Sequence, residues 1–548
     1  MATRTAEDFV KRAREVRGKQ AVWHSLWDDL ARVMIPRLLG FSETVVPGES
    51  RQDEIFDGTP MLAARGFANA IAAMLRPEGQ KWAEVKAEDP SLNMDEEARA
   101  WLEDSTGRLH AAFDNPKARM REVTGACDLS LAVLGTGPFC LELGQSMRNL
   151  QFQNIHLKDA GIDWDEDADA YAMYRFKRYT ARQAESLWGF ANLGEKVREN
   201  LKNGKLDAIC NYIQVVIPRT DRMLGGVFSK NLPYASLYIE EDSKHIVRES
   251  GFEEFPCIIP RMETAPNEDY GRSPGMVALP DANTLQAMGE TLLVAGQKAA
   301  EPPLFAPNDG TFTEANMFPG GISYYDISVA AKVRGNPVFA MATNGNIPLT
   351  REMQNDTREQ VFSAFFRNVL NLPVAGPQMT ATEVMARQEQ FLREVGPLFG
   401  RLESSYTAPM VERAFMLMLR AGAFLPIPPV LQGQSVRFEY ESPAKRIRQQ
   451  IEARAAAMWM QEAMTLSQVR PEVLDVVDLD AYVRFQHSAA KIPEVLLVRE
   501  EAVAEARKQR AAKEDAAQRM AAAQQGAEIA DTGANALKTA GLVGQEAA

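Results

Sequence analysis

YGRSPGMVALPDANTLQAMGETLLVAGQKAAEPP (270–303) and REMQNDTREQVFSAFFRNVLN (351–371) are the two stretches that decide how this chain is read. The first is a helical reading that Pro302 and Pro303 close. In the second, Phe362, Phe365, Phe366, Val369 and Leu370 step by 3, 1, 3 and 1, the spacing of a helix with one apolar face. Between the two, Leu304 to Pro348 is rich in Gly, Pro, Asn and aromatics and carries no helical period. After them a Pro/Gly loop, Leu372, Pro373, Val374, Ala375, Gly376, Pro377, Gln378 and Met379, leads into Thr380-Ala-Thr-Glu383, the capping box of a third helix. The expected plan is helix, irregular excursion, helix, tight loop, long helix.

Upstream, residues 5–35 read as an amphipathic helix with Trp23, Leu26, Trp27, Leu30, Val33 and Met34 on one stripe, stopped by Pro36. Two tryptophans on such a stripe are expected in the core. Residues 37–58 read as loop, and Thr59-Pro60 opens a second helix with Thr at the N-cap and Pro at N1. Its buried stripe is Ala63, Phe67, Ala70, Ile71 and Met74. Two further helices are expected, from Asp95 to Phe113 and through Cys127 and Leu131, before Gly135-Thr-Gly137-Pro138 turns the chain. From there to about Ile259 strand patterns dominate: FCLEL, LQFQNIHL, AYAMYRFKRY, CNYIQVVIP, ASLYIE, HIVRES and FPCIIP, with one helix near Arg182–Phe190. That makes an antiparallel sheet packed on helices, and the fold class α+β, mainly helical.

Downstream, Val384, Phe391, Val395, Leu398, Leu402 and Tyr406 mark a long helix that Pro397 and Pro409 should kink. A strand at Ser435–Tyr440 precedes a helix from Ser442-Pro443 to about Leu466, with shorter helices expected near 474–483 and in the IPEVLL block. Residues 499–524 are alanine-rich, charged and helical in reading, and residues 525–548 have the composition of a disordered tail.

At 548 residues the chain is too long for one simple core. Lys+Arg 61 against Asp+Glu 74 gives a net charge of −13, and a protein that clamps DNA tightly needs a basic excess. A DNA clamp therefore loses ground, while a conduit that must not hold DNA stays open. Cys127, Cys140, Cys210 and Cys257 are far apart with no CxxC, and are expected as free thiols of a reducing compartment. The first twenty residues lack the apolar core of a signal peptide, and no apolar run reaches a membrane span, so a soluble cytoplasmic or virion-internal protein is expected.

The chain has no GxxxxGK[ST], no HExxH, no nucleophile elbow and no paired-carboxylate motif, so no catalytic, cofactor or metal residue is expected. Gly135-Thr-Gly137 lacks the lysine of a phosphate loop and reads as a plain turn. Asp163, Asp165, Asp167 and Asp169 alternate as in a calcium loop. Its sixth position would be Ala168 and its twelfth Tyr174, so a solvated hairpin turn is the better reading.

Six blocks, in order, carry a resemblance. They are Ile35-Pro36-Arg37, Phe56-Asp57-Gly58-Thr59, Arg76 to Trp82 (RPEGQKW), Gly135-Thr136-Gly137, Tyr270 to Gly275 (YGRSPG), and Met379 to Val384 with Arg387 after it. Together they resemble the head-to-tail connecting (portal) proteins of short-tailed double-stranded DNA bacteriophages, over roughly Trp27 to Asp480. The resemblance implies a dodecameric ring at one capsid vertex of the virion, assembled in the host cytoplasm, through which double-stranded DNA is packaged and ejected. It implies as partners further copies of the chain, the terminase large subunit, a tail adaptor protein, and capsid and scaffolding proteins, with no membrane and no cofactor.

By the same resemblance, residues 1–270 form a wing, 271–303 and 349–371 the two stem helices, and 304–348 the clip. Residues 372–380 form a tunnel loop, 381–441 a long kinked wing helix with a return strand, and 442–524 a crown. Lys298, Arg351, Arg358 and Arg367 become DNA-channel candidates, with Lys332 and Arg334 near them. Phe305, Phe312, Phe318, Tyr324 and Tyr325 become clip residues for contact with partners. The alanine-rich tail after about 499 matches no block of the family. Two other readings stand beside this one: a scaffold or internal core protein of the virion, which the strand-rich 139–259 region disfavours, and an enzyme of another family, which no motif supports.

Overall fold

Helix α1 (Ala6–Met34) opens the computed structural model with a capping box in which Thr5 and Asp8 satisfy each other's backbone N–H groups. The described residues are all but 1–4, 43–45, 47, 94, 145–148, 166–168, 220–230, 267, 309–317, 327–337, 341–346, 368–392, 395, 441–442, 469, 471–475, 490–497, 499–501 and 521–548. They divide into two units, Met1–Lys445 and Arg446–Ala548.

In the first unit, α1 is followed by α2 (Thr59–Leu75), β1 (Ala83–Ala87), α3 (Glu96–Asp114) and α4 (Met120–Leu134). Trp27 is fully buried, ringed by Trp23, Phe41 and Tyr270, as the tryptophan stripe predicts. Asp28, one residue on, accepts the N–H groups of Gly40, Phe41 and Ser42 at 3.0, 2.8 and 2.7 Å. That carboxylate fixes the loop after Pro36 against the helix. Helix α2 starts on Gly58 as N-cap with Thr59 as its first residue, one position away from the expected Thr59 cap. The cap function passes to Asp57, whose Oδ1 accepts the Thr59 N–H at 2.9 Å.

The strand-rich region holds two antiparallel sheets. One has the order β3-β2-β9 from β2 (Phe139–Leu143), β3 (Leu150–Asn154) and β9 (Cys257–Ile258). The other has the order β4-β5-β6-β7-β8 from β4 (Ala160–Trp164), β5 (Ala170–Thr180), β6 (Ile209–Pro218), β7 (Tyr234–Glu240) and β8 (His245–Phe252). One face of the larger sheet buries Phe9, Val10, Ala13 and Val16 of α1 against Tyr174, Ile213, Val215, Leu237 and Ile239. Helices α5 (Ala181–Trp188) and α6 (Glu195–Lys202) lean on part of the other face around Tyr212. The reading missed β4 and α6, whose sequences are short and broken by charge. The β4–β5 hairpin is the acidic turn: Asp165 and Asp169 close it by backbone bonding, and Asp163 receives Arg12 through two hydrogen bonds of 3.0 and 2.9 Å.

Cys140 and Cys257 stand opposite one another on β2 and β9 and are joined as a disulfide. This corrects the expectation of four free thiols; Cys127 and Cys210 remain free and buried. The two partners are 117 residues apart in sequence, and spacing says nothing of which strands will pair.

Helix α7 (Pro274–Ala300), a small sheet and α8 (Ile347–Ala364) follow. Then 396–402 is helical, Glu403–Thr407 forms a π turn, and α9 (Ala408–Arg420) continues with Pro409 in its first turn. The expected break near Pro409 is thus a change of helical register. Strand β13 (Val436–Tyr440) pairs antiparallel with β1, so segments about 350 residues apart share a ladder.

In the second unit, α10 runs from the boundary (Pro443–Ser467) and α11 spans Leu479–Ala489. Gln486 of α11 donates to the Ala453 carbonyl of α10 at 2.8 Å, and a helix at 502–520 is tied to α11 by Arg507 and Asp480. Met458, Trp459, Met464 and Leu466 of α10 are exposed. Among the described residues no helix is long and apolar enough to cross a membrane.

Candidate functional site

The paired helices α7 and α8, with the segment between them, carry most of the predicted site residues. Their root is built from three of the sequence blocks. Ser273 caps α7, accepting the Met276 N–H at 3.0 Å and donating its hydroxyl to Val133 O at 2.6 Å. Beside it the backbones of Gly135 and Gly271 meet, and Thr136 Oγ1 accepts the Gly271 N–H at 2.9 Å. Gly135 has φ +79° at the C-cap of α4, a left-handed conformation that favours glycine. The Gly-Thr-Gly turn and the YGRSPG block are therefore two halves of one socket.

About three and a half turns further along α7, Gln286 acts as a strand edge. Its Oε1 accepts the N–H groups of Phe56 and Asp57 at 2.8 and 2.9 Å, and its Nε2 donates to Asp57 O at 2.7 Å. Gly289 leaves room for Phe56, whose Cβ lies 2.9 Å from where a glycine-to-alanine carbon would stand. From α8, Gln354 Nε2 and Arg358 Nε reach the buried Asp57 carboxylate at 3.3 and 3.0 Å, and Arg358 Nη2 lies at 2.8 Å. Burial pushes this carboxyl up, but Thr59 and Arg358 outweigh burial and hold it below its ordinary range. Phe365 and Phe366 at the end of α8 pack on Phe67 of α2. Phe366 has φ +56° and α8 ends at Ala364, while residues 368–371 of the expected helix lie outside the described residues.

Beyond the root, α7 projects. Its buried residues, Pro274, Gly275, Ala278, Ala282 and Leu285, all lie in its first half. Val277, Leu293 and Val294 on α7 and Met353 on α8 are exposed. At the far end, β10 (Leu304–Asn308) pairs parallel with β11 (Ile322–Asp326) and antiparallel with β12 (Phe339–Ala340). The described part of the excursion expected to be irregular contains a three-stranded sheet, whose strands are too short to show a period in sequence. Phe305 is half-buried, and Phe318 and Tyr324 are exposed by 60% and 42%. Tyr325 has a place on β11; its side chain and Phe312 lie outside the described residues.

The four basic candidates separate. Arg358 is engaged by Asp57, and Arg367 lies 3.9 Å above the Phe362 ring. Lys298 is half-exposed and Arg351 exposed, and among the described residues neither is in an ion pair. Leu372 to Met379, the Thr380 helix start with Arg387, Val369 and Leu370, and Lys332 and Arg334 lie outside the described residues.

The two ends of the RPEGQKW block, Arg76 and Trp82, serve the interior. Arg76 is ion-paired with Asp128, both fully buried, and its guanidinium lies 4.7 Å from the Tyr406 ring centroid. Tyr406 in turn donates to Thr124 O at 3.3 Å, and Trp82 stacks on Phe113 at 5.4 Å. Arg76 Nη1 and Asp128 Oδ1 have no hydrogen-bond partner among the described residues. Sequence reasoning missed Asp128, Gln286 and Gln354, because a polar residue inside a helix signals nothing until its partner is known.

The family described as bacteriophage head to tail connecting protein matches residues 6–497. The chain belongs to this family. Two relatives of the connecting protein align with it almost end to end. The portal protein of Salmonella phage epsilon15 is 27% identical over 543 residues, 97% of this chain and 96% of that one. The probable portal protein of Bordetella phage BPP-1 is 27% identical over 521 residues, 94% and 93% of the two chains. Among solved structures, a chain described as virion of native gene transfer agent (GTA) particle matches 75% of the connecting protein and 91% of its own length. That match has 10% identity and a TM-score of 0.37.

Proposed function

We propose that this connecting protein is a portal: a dodecameric ring at one capsid vertex through which double-stranded DNA enters during packaging and leaves on infection. The observation that carries the reading is the end-to-end alignment with the portal protein of phage epsilon15, which leaves no large part of either chain unmatched. In this reading residues 1–270 with 381–441 are the wing, α7 and α8 the stem, 304–348 the clip, 372–380 the tunnel loop and 442–524 the crown. The reading assigns no catalytic step to the chain.

Physical features support the parts. A helix of 27 residues is about 40 Å long, enough to line a channel. Leu293, Val294 and Met353, exposed on one subunit, are the surface that a neighbouring stem would cover, and a heterologous contact that closes makes a ring. Lys298, Arg351 and Arg367 are proposed to face DNA. Arg358 is already neutralised by Asp57 and contributes less. Few free cations on an acidic protein hold phosphate weakly, as a sliding conduit requires. Phe318 and Tyr324 on the clip are proposed to meet terminase during packaging and the tail adaptor afterwards.

The test is negative-stain microscopy of the purified chain with its mass in solution. Rings with a central hole and a mass of about twelve chains are expected. A compact monomer or dimer that forms no ring even with capsid and scaffolding proteins present would overturn the reading.

A further inference from the structure

The face of the five-stranded sheet opposite α1 carries two basic side chains, one buried and one half-buried, that the function above does not use. Arg175 and Lys177 are two residues apart on β5 and so project from the same face. Arg175 is only 8% exposed. Its guanidinium Nη1 reaches two neutral atoms, Gln214 Oε1 at 3.5 Å and Cys140 Sγ at 3.8 Å. Lys177 is half-buried, with Nζ 3.4 Å from the Tyr238 hydroxyl and 5.3 Å from the centroid of that ring. Among the described residues no carboxylate is ion-paired with either cation. Glu142 on β2 acts on both through space, and Asp159 acts on Arg175 alone.

Buried cations are ordinarily paired, because a lone one gives up its hydration for nothing. The register makes the place specific. Arg175, Gln214, Tyr238 and Arg248 form one cross-strand row over β5, β6, β7 and β8. Trp188 from α5 walls it, 5.5 Å from Tyr238 and 5.4 Å from Tyr179. We propose that this row is a binding site for a carboxylate side chain presented by an acidic segment of a protein partner. A carboxylate matches the Arg175 fork, the Lys177 ammonium and the Tyr238 hydroxyl together. A duplex phosphate backbone fits poorly: it needs a broad exposed basic surface, and Arg175 can be reached only by a group on a slender arm.

Burial and the neighbouring Arg175 push the Lys177 ammonium down to about 7, against the weaker pull of Glu142. Tyr179, Tyr212, Tyr238 and Arg248, which also border the site, supply no negative charge at neutral pH, and Glu240, beyond Tyr212 in the Lys177 row, has its carboxyl pushed up by burial. A bound carboxylate restores the ammonium, so binding takes up a proton, and more at pH 8 than at pH 6.

The experiment titrates hexaglutamate into the full-length chain by calorimetry in two buffers of different ionisation enthalpy. Saturable binding with proton uptake at pH 8 is expected, weakened at least tenfold in Arg175→Gln and in Lys177→Met. In the unmutated chain, hexaglutamate should slow reductive methylation of Lys177 at least threefold by peptide mass mapping. No binding, or equal binding by variants that keep the wild-type circular dichroism, overturns the proposal. Equal protection by inorganic phosphate means an adventitious ion only and also overturns it. Protection by a DNA duplex but not by the peptide overturns it in favour of nucleic acid.

Discussion

The carbonyl oxygen of Gly271 lies 2.1 Å from where a Cβ on Gly135 would stand, so the two backbones exclude any side chain between them. Gly135→Ala meets both this oxygen and a left-handed φ, and should lose at least about 3 kcal/mol in denaturant unfolding. Gly125, inside α4 with nothing within 4 Å of its Cβ position, is the control. Gly125→Ala should leave the isolated chain unchanged or stabilise it by about 0.5–1 kcal/mol.

Asp57 and Arg358 tie the loop before α2 to α8. With Arg358 about a third exposed, a double-mutant cycle of Asp57→Asn and Arg358→Met should give a coupling of about 1 kcal/mol. The pH dependence has a definite sign. The folded carboxyl titrates below its ordinary value of 3.8, so its contribution is present above that pH and disappears as pH falls through the folded value. The stability difference between the parent chain and Asp57→Asn should therefore hold from pH 7 to about 4 and shrink below. A difference that grows on acidification would contradict the clamp.

Arg76 and Asp128 are both buried, and removing one strands the other. Arg76→Met or Asp128→Leu alone should cost about 3–5 kcal/mol, and the double variant should recover most of it. Equal losses in the single and double variants would mean that Tyr406 packing, not charge, sets the cost.

Phe318 and Tyr324 are exposed, so Phe318→Ser and Tyr324→Ser should change chain stability by less than about 0.5 kcal/mol. Under the portal reading they should nonetheless impair docking of terminase or of the tail adaptor, read by co-sedimentation with preformed rings.

The disulfide is counted directly. Denatured without reductant, the chain should react with two thiol equivalents, those of Cys127 and Cys210, and after reduction with all four. Reduction should also lower unfolding stability by about 2–5 kcal/mol, given the long segment the bridge closes.

Much of the fold was legible in sequence where the signal is local. The Trp27 stripe, the helix from Asp95 to Phe113, the Ser442-Pro443 start and the alternation of β5 to β8 each depend on neighbours within a few residues, and each element stands where its pattern put it. Legibility failed where the partner is distant. Cys140 and Cys257, Gln286 and Phe56, and Arg76 and Asp128 are brought together only by the finished topology. Among the basic candidates, charge alone could not tell Arg358, spent on Asp57, from Arg351, which is exposed. The short strands β10 to β12 escaped because two to five residues cannot display a period.

Helix α7 is clamped over its first half and projects over its second, which makes it a cantilever. Its free second half, from Gln286 to Ala300, gives an arm of about 20 Å. A rotation of about 5° where the clamp ends would carry the far end through roughly 1.7 Å, more than half the length of a hydrogen bond. A small repacking at the root is thus geared into a displacement of the β10–β11–β12 sheet, and a push on that sheet is returned, with the same leverage, to the socket and the Asp57 clamp.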